Sequence, residues 1–253
     1  MDDAALTDLQ VEVLRLFFSL PESAGFVLAG GAGLVAVGLS TRPTDDLDLF
    51  TAAASVLAAG DALEQTVSNR GWTTERMQES LTFRRLVLRT DGDEVLVDLA
   101  QDAGPLSAAT ITAVGPTYPP VELAARKVLA LFDRSVLRDF VDVAKVSERY
   151  DREELLRVAV EIDEGFDVSV FIQMLGTLGR FDDDEIRPLA DPSTLRSFFA
   201  DWIETLRRRT TEGRPRATGS RLSRPQTWRC PSRLADRSPS SSGRSRAAPA
   251  SGR

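Results

Sequence analysis

Histidine is absent from the 253 residues. That removes imidazole acid–base chemistry, Ser-His-Asp triads and His-ligated zinc. The single cysteine, Cys230, rules out an intramolecular disulfide. Lysine is nearly missing, with only Lys127 and Lys145. No apolar run approaches the ~20 residues that span a bilayer. The N-terminus, MDDAALTDLQ, is acidic where a secretory signal would be basic, so the expected location is cytoplasmic, with no membrane partner. Polar catalysis must therefore rest on carboxylates, Lys, Arg, hydroxyls and bound metal.

What is present is charge, unevenly spread. Residues 207–253 hold 13 Arg against Glu212 and Asp236, a net +11, and the remainder holds 18 basic and 36 acidic residues, a net −18. An acidic body disfavours non-specific nucleic-acid binding without excluding a local basic groove. Along the chain, TDLQVEVLRLFFSL (7–20) has helical periodicity, with Thr7 as N-cap. Phe26 to Ala29 reads as a buried strand running into Gly30-Gly31, followed by a small-residue helix over 32–39. Leu47–Phe50 reads as a strand, 53–69 as a helix, and 72–77, 81–90 and 95–100 as strands. Asp91-Gly92 is a hairpin turn signal between the last two. Residues 104–120 read as loop, and helices follow at 121–133, 136–149, 152–163, 168–179 and 193–209. The fold class is thus α+β: an α/β domain with a mixed or antiparallel sheet (1–116), a helical domain (117–209), and an Arg/Ser/Pro-rich tail (210–253) expected to be disordered for want of apolar surface.

The chemistry concentrates in GGAGLVAVGLSTRPTDDLDLF, residues 30–50. In a strand, period two puts Asp46 and Asp48 on one face with Leu47 directed into the core. Two carboxylates on one edge repel unless a cation lies between them. Magnesium takes oxygen ligands and is held by one or two carboxylates plus substrate phosphates. Two such ions about 3.5–4 Å apart would clamp an in-line phosphoryl displacement. Asp98, inside the apolar run Val95 to Leu99, is costly to bury unless paired or metal-bound. It would join the metal set, accept the proton of an attacking hydroxyl, or pair with an Arg such as Arg85. Gly30-Gly31 offers backbone N–H groups that approach phosphates without Cβ interference. Lys127 is a candidate phosphate ligand or a solvated helix charge. Asp142 would orient Lys127 or contact base or sugar, and Asp139 would pair with Arg134. Thr44 would donate to a phosphate or cap the turn before Asp46. Arg84, Arg85 and Arg89 would face RNA or solvent.

These residues resemble the AbiEii-type (MenT-type) nucleotidyltransferase toxins of the DNA polymerase β-like nucleotidyltransferase superfamily. The family pattern is a Gly-Gly or Gly-Ser turn, a helix, then Arg-x-Ser/Thr-x-Asp-hydrophobic-Asp. It is carried here by Gly30-Gly31 and Arg42-Pro43-Thr44-Asp45-Asp46-Leu47-Asp48. A second motif, about 80 residues on, runs from Lys127 to Arg134 and through Arg138-Asp139 to Asp142. The match covers roughly 20–150, and the Arg-rich tail matches nothing in the family. The resemblance implies that 1–116 is a nucleotidyltransferase catalytic domain. It implies transfer of NMP from NTP, with magnesium (two ions), to an acceptor such as the tRNA 3′ end, by a toxin with a cognate antitoxin. It also implies a metal set of Asp46, Asp48 and Asp98, and a nucleotide set of Gly30, Gly31, Arg42, Thr44, Lys127 and Asp142.

Rival readings remain at this point. A small molecule or a protein would serve equally as acceptor, and a non-catalytic, partner-binding relative is a further alternative. Gly31-Ala32-Gly33-Leu34-Val35-Ala36 also matches the dinucleotide fingerprint G-x-G-x-x-A after a strand. That fingerprint expects its acid at the end of the second strand, whereas Asp46 and Asp48 stand at the beginning of theirs.

Overall fold

The computed structural model describes residues 6–212. The tail reading for 210–253 therefore lies almost wholly outside the described residues. Helix α1 (Asp8–Phe18) opens with a capping box in which the Thr7 hydroxyl accepts from the Gln10 N–H and the Gln10 side chain accepts from the Thr7 N–H. Strand β1 (Phe26–Leu28), helix α2 (Gly30–Ala36), strand β2 (Asp46–Thr51) and helix α3 (Val56–Ser68) follow. Strands β3 (Thr73–Glu79), β4 (Phe83–Arg89) and β5 (Glu94–Gln101) form an antiparallel meander. The short strands β6 (Thr110–Thr112) and β7 (Gly115–Thr117) make a hairpin in the stretch expected to be loop. With three residues apiece, and Pro116 inside β7, neither has a readable period. The expected domain boundary at 116–117 falls within β7.

The seven strands form one mixed sheet, ordered β3-β4-β5-β2-β1-β7-β6. β1 and β2 run antiparallel, so the Gly-rich turn between them does not open a βαβ unit and the dinucleotide reading fails. β2 runs parallel to β5. One sheet face buries Leu28, Leu47, Leu49, Leu86, Leu88, Val97 and Leu99 against α1 and α3. The opposite face carries Val27 and Phe50 into a second core cluster dominated by the C-terminal helices.

Those helices are α4 (Pro120–Asp133), α5 (Leu137–Val146), α6 (Arg152–Ile162), α7 (Val168–Gly176), the single turn α8 (Asp183–Ile186) and α9 (Pro192–Glu212). Phe140, Phe171, Phe199 and Trp202 fill their centre. Val27, Ala29, Leu34 and Leu39 belong to the same cluster. The helical half is thus seated on the polar-bearing face of the sheet beside β1 and α2, and that placement brings its Lys to the acids.

Candidate active site

The alternation expected of β2 holds: Leu47, Leu49 and Thr51 are buried, while Asp46, Asp48 and Phe50 share the other face and are half-buried. Register then sets a row across three strands. Asp48 lies opposite Asp98 on β5, and Asp98 lies opposite Arg85 on β4. Arg85 grips Asp98 with both arms, Nε to Oδ1 at 2.7 Å and Nη2 to Oδ2 at 2.5 Å. The Arg partner considered for Asp98 from sequence is therefore the one observed. Burial pushes the Asp98 carboxyl above its ordinary value, with the Arg85 fork opposing the shift.

Asp48 has no such partner among the described residues. Burial, then the neighbouring charges of Asp46 and Asp98, push its carboxyl up to about 7 against the weaker pull of Lys127 and Arg134. Its seat is made by glycine. Gly30 has φ +59°, and a Cβ there would lie 1.7 Å from Asp48 Oδ2. A Cβ on Gly31 would lie 2.7 Å from the Thr44 hydroxyl. In the structure the Gly-Gly turn makes room for two site side chains.

Thr44 Oγ1 donates to Asp46 Oδ1 at 2.8 Å. The Thr44 carbonyl in turn accepts from Gln10 Nε2 at 2.7 Å. Gln10 is almost fully buried and was not singled out from sequence. The capping box T-x-x-Q is legible there, but the tertiary bond made by the other end of the amide is not.

On the helical side, Lys127 Nζ lies 2.8 Å from Asp142 Oδ2. Arg42 also reaches Asp142, Nε to Oδ1 at 3.1 Å and Nη2 to Oδ2 at 3.2 Å. Asp142 thus pairs with Lys127 and Arg42 together. Burial alone would raise Asp142, but Lys127 and Arg42 outweigh it and hold the carboxyl below its usual range. Asp139 pairs with Arg134 at 2.8 and 3.0 Å. The three arginines of β4 do not form a free basic face. Arg84 is buried on the opposite side of the sheet among Asp61, Glu64 and Glu79, Arg85 holds Asp98, and Arg89 bridges Glu75 and Glu94.

The structure therefore gathers Asp46, Asp48 and Asp98, with Lys127 close enough to act on Asp48. Among the described residues no group of three or more His, Cys, Asp or Glu is arranged to hold a metal ion. The donor chemistry still fits magnesium at Asp46 and Asp48. They offer hard carboxylate oxygens with no ion pair among the described residues, and magnesium takes its remaining positions from water and phosphate. A cleft of about 320 Å³ lies elsewhere, between α6 and α9, lined by Tyr150, Arg152, Leu156 and Leu206 among others.

The sequence model of the family described as nucleotidyl transferase AbiEii toxin, type IV toxin–antitoxin system, matches residues 14–215. No curated protein matches the sequence. Among solved structures, a nucleotidyltransferase named from Helicobacter pylori is similar at TM-score 0.51 and 15% identity, over 82% of this chain and 98% of that one. The nucleotidyltransferase toxin MenT4 of Mycobacterium tuberculosis is similar at TM-score 0.51 and 15% identity, over 81% of this chain and 88% of that one. At such identity these likenesses speak to the fold. Among the described residues no helix is long and apolar enough to cross a membrane.

Proposed function

The chain belongs to the AbiEii family of nucleotidyl transferase toxins, and on that premise we propose that it is magnesium-dependent and transfers NMP from an NTP to the 3′ end of tRNA. Asp46 and Asp48 would hold the ion, which supplies charge neutralisation at the phosphates. The observation that carries this reading is the state of Asp48, a carboxylate set beside two others with no cationic partner of its own. Like charge is tolerated at that density where a divalent cation completes the site.

The chain's own residues then have distinct tasks. Gly30 and Gly31 keep side chains out of the space taken by Asp48 and Thr44, so that both can stand beside the turn. Thr44 fixes one Asp46 oxygen and leaves the other free for the ion. Asp142 holds Lys127 and Arg42 where their charge meets the triphosphate. An ion pair already formed loses little side-chain freedom when the nucleotide arrives. NTP and tRNA are both cytoplasmic, which places the reaction there, and the family's antitoxin is the expected protein partner. In-line displacement at the α-phosphate releases pyrophosphate and leaves NMP on the acceptor hydroxyl.

The test is incubation of the purified chain with total RNA, magnesium and each α-labelled NTP in turn. Label appearing in the tRNA band, lost with EDTA and in Asp46→Asn, is the expected result. Label appearing only in protein or small-molecule fractions would reassign the acceptor, and no transfer with any NTP would contradict the activity.

A further inference from the structure

Neighbouring carboxylates in the acid row have opposite surroundings. Asp46 and Asp48 make no ion pair among the described residues, whereas both oxygens of Asp98 are taken by the Arg85 guanidinium, at 2.7 and 2.5 Å. The strands dictate this. Arg85, Asp98 and Asp48 are successive register partners across β4, β5 and β2, about 4.8 Å apart from strand to strand, so the three side chains stand on one face. The pair is largely withdrawn from water, with side-chain exposures of 20% for Arg85 and 5% for Asp98. A two-armed guanidinium–carboxylate contact is the strongest geometry such a pair can take, and removing one partner strands a buried charge. A guanidinium also keeps its proton throughout the working pH range.

We propose that Arg85 is a resident cation that closes the Asp98 corner of the acid row, so that the centre takes one divalent ion, at Asp46 and Asp48, and not the two that three free carboxylates would invite. The inference rests on the metal reading of Asp46 and Asp48 given above. Arg85 cancels one of three negative charges, and its field extends beyond Asp98 to Asp46 and Asp48. The two charges that remain suit one divalent ion. Asp98 is on this account a positioning residue that anchors Arg85.

The experiment counts Mn²⁺ bound to the full chain at saturation with a non-transferable α,β-methylene NTP analogue, by the loss of the free-Mn²⁺ resonance signal. One ion per chain is expected in the wild type and in Asp98→Asn, and two in Arg85→Gln, where Asp98 is released. Two ions in the wild type, falling to one in Asp98→Asn, would overturn the proposal. A count that stays at one in Arg85→Gln would overturn the role given to Arg85. Should Arg85→Gln not fold, the neutral pair Arg85→Gln/Asp98→Asn is expected to bind one ion, and a second ion there would count against the proposal. The underlying metal reading fails separately. A count of zero, or one that Asp46→Asn leaves unchanged, removes the acid-pair site and this inference with it.

Discussion

The sheet side and the helical side of the candidate site treat charge in opposite ways. On the sheet, Asp46 and Asp48 make no ion pair among the described residues, and burial, then the charges of Asp46 and Asp98, push the Asp48 carboxyl up to about 7. On the helices, Asp142 is over-supplied, pinned by Lys127 and Arg42 together and held below its ordinary range. On the sheet the one guanidinium of the row is bound to Asp98, whereas on the helical side two cations share Asp142. On the proposed reading, this is how a chain with two lysines and no histidine would receive a metal–triphosphate complex. The acids and the Lys127–Asp142–Arg42 cluster come from separate layers of the fold, joined where the second core cluster meets β1 and α2.

The comparison breaks most severely at β2. Asp46→Ala and Asp48→Ala should each cut transfer about 10³-fold or more, the scale of several kcal/mol of lost electrostatic stabilisation, with melting curves showing an intact fold. Gly30→Ala should come close to that loss, because its Cβ would collide with the Asp48 carboxylate, and crystallography would show Asp48 displaced.

On the helical side the larger cost should be stability. Asp142→Ala leaves Lys127 and Arg42 without their buried partner and should cost about 3 kcal/mol in denaturant unfolding. Lys127→Ala should act mainly on nucleotide use and raise KM for NTP about tenfold, with a smaller change in stability.

The two sides should also separate by pH. The folded Asp48 binds its proton more tightly than the unfolded chain does, so this group's contribution to metal-free stability falls as pH rises from about 4 to about 7. The depressed Asp142 behaves in the reverse sense, and its contribution is present above its ordinary value and lost only as pH falls below about 4. Asp48→Asn should therefore raise the metal-free Tm at pH 8 by about 2–4 °C, roughly 1 kcal/mol once solvent screening of a half-buried carboxylate is allowed for. At pH 5, part-way through that window, the gain should be smaller. The smallest effect expected is that of Gln10→Leu, which frees the Thr44 carbonyl. It should weaken magnesium dependence about threefold in a metal titration and leave the secondary structure unchanged.

Much of this was legible in the sequence where a single period decides. Asp46-Leu47-Asp48 reads as two acids on one face because strands alternate, and the register confirms it. The meander β3 to β5 and the long helices carry their own patterns and turn signals. Contacts made across the fold were not legible. The alternation in Phe83-Arg84-Arg85-Leu86 separates Arg84 from Arg85 onto opposite faces but does not say that α3 acids meet the first and Asp98 the second. The Arg42–Asp142 contact joins residues 100 apart, and only the packing of α5 beside the turn before β2 creates it. The β6–β7 hairpin and the one-turn α8 are shorter than any period that would announce them.

The most direct measurement is a magnesium-titrated thermal melt at pH 6 and pH 8, on the wild type and on Asp48→Asn. An ion that binds between Asp46 and Asp48 must displace the Asp48 proton at the lower pH. The wild-type Tm should rise with magnesium at pH 8 and much less at pH 6, and Asp48→Asn should not respond at either. An equal magnesium response in the wild type and in Asp48→Asn at pH 8 would contradict that placement of the ion.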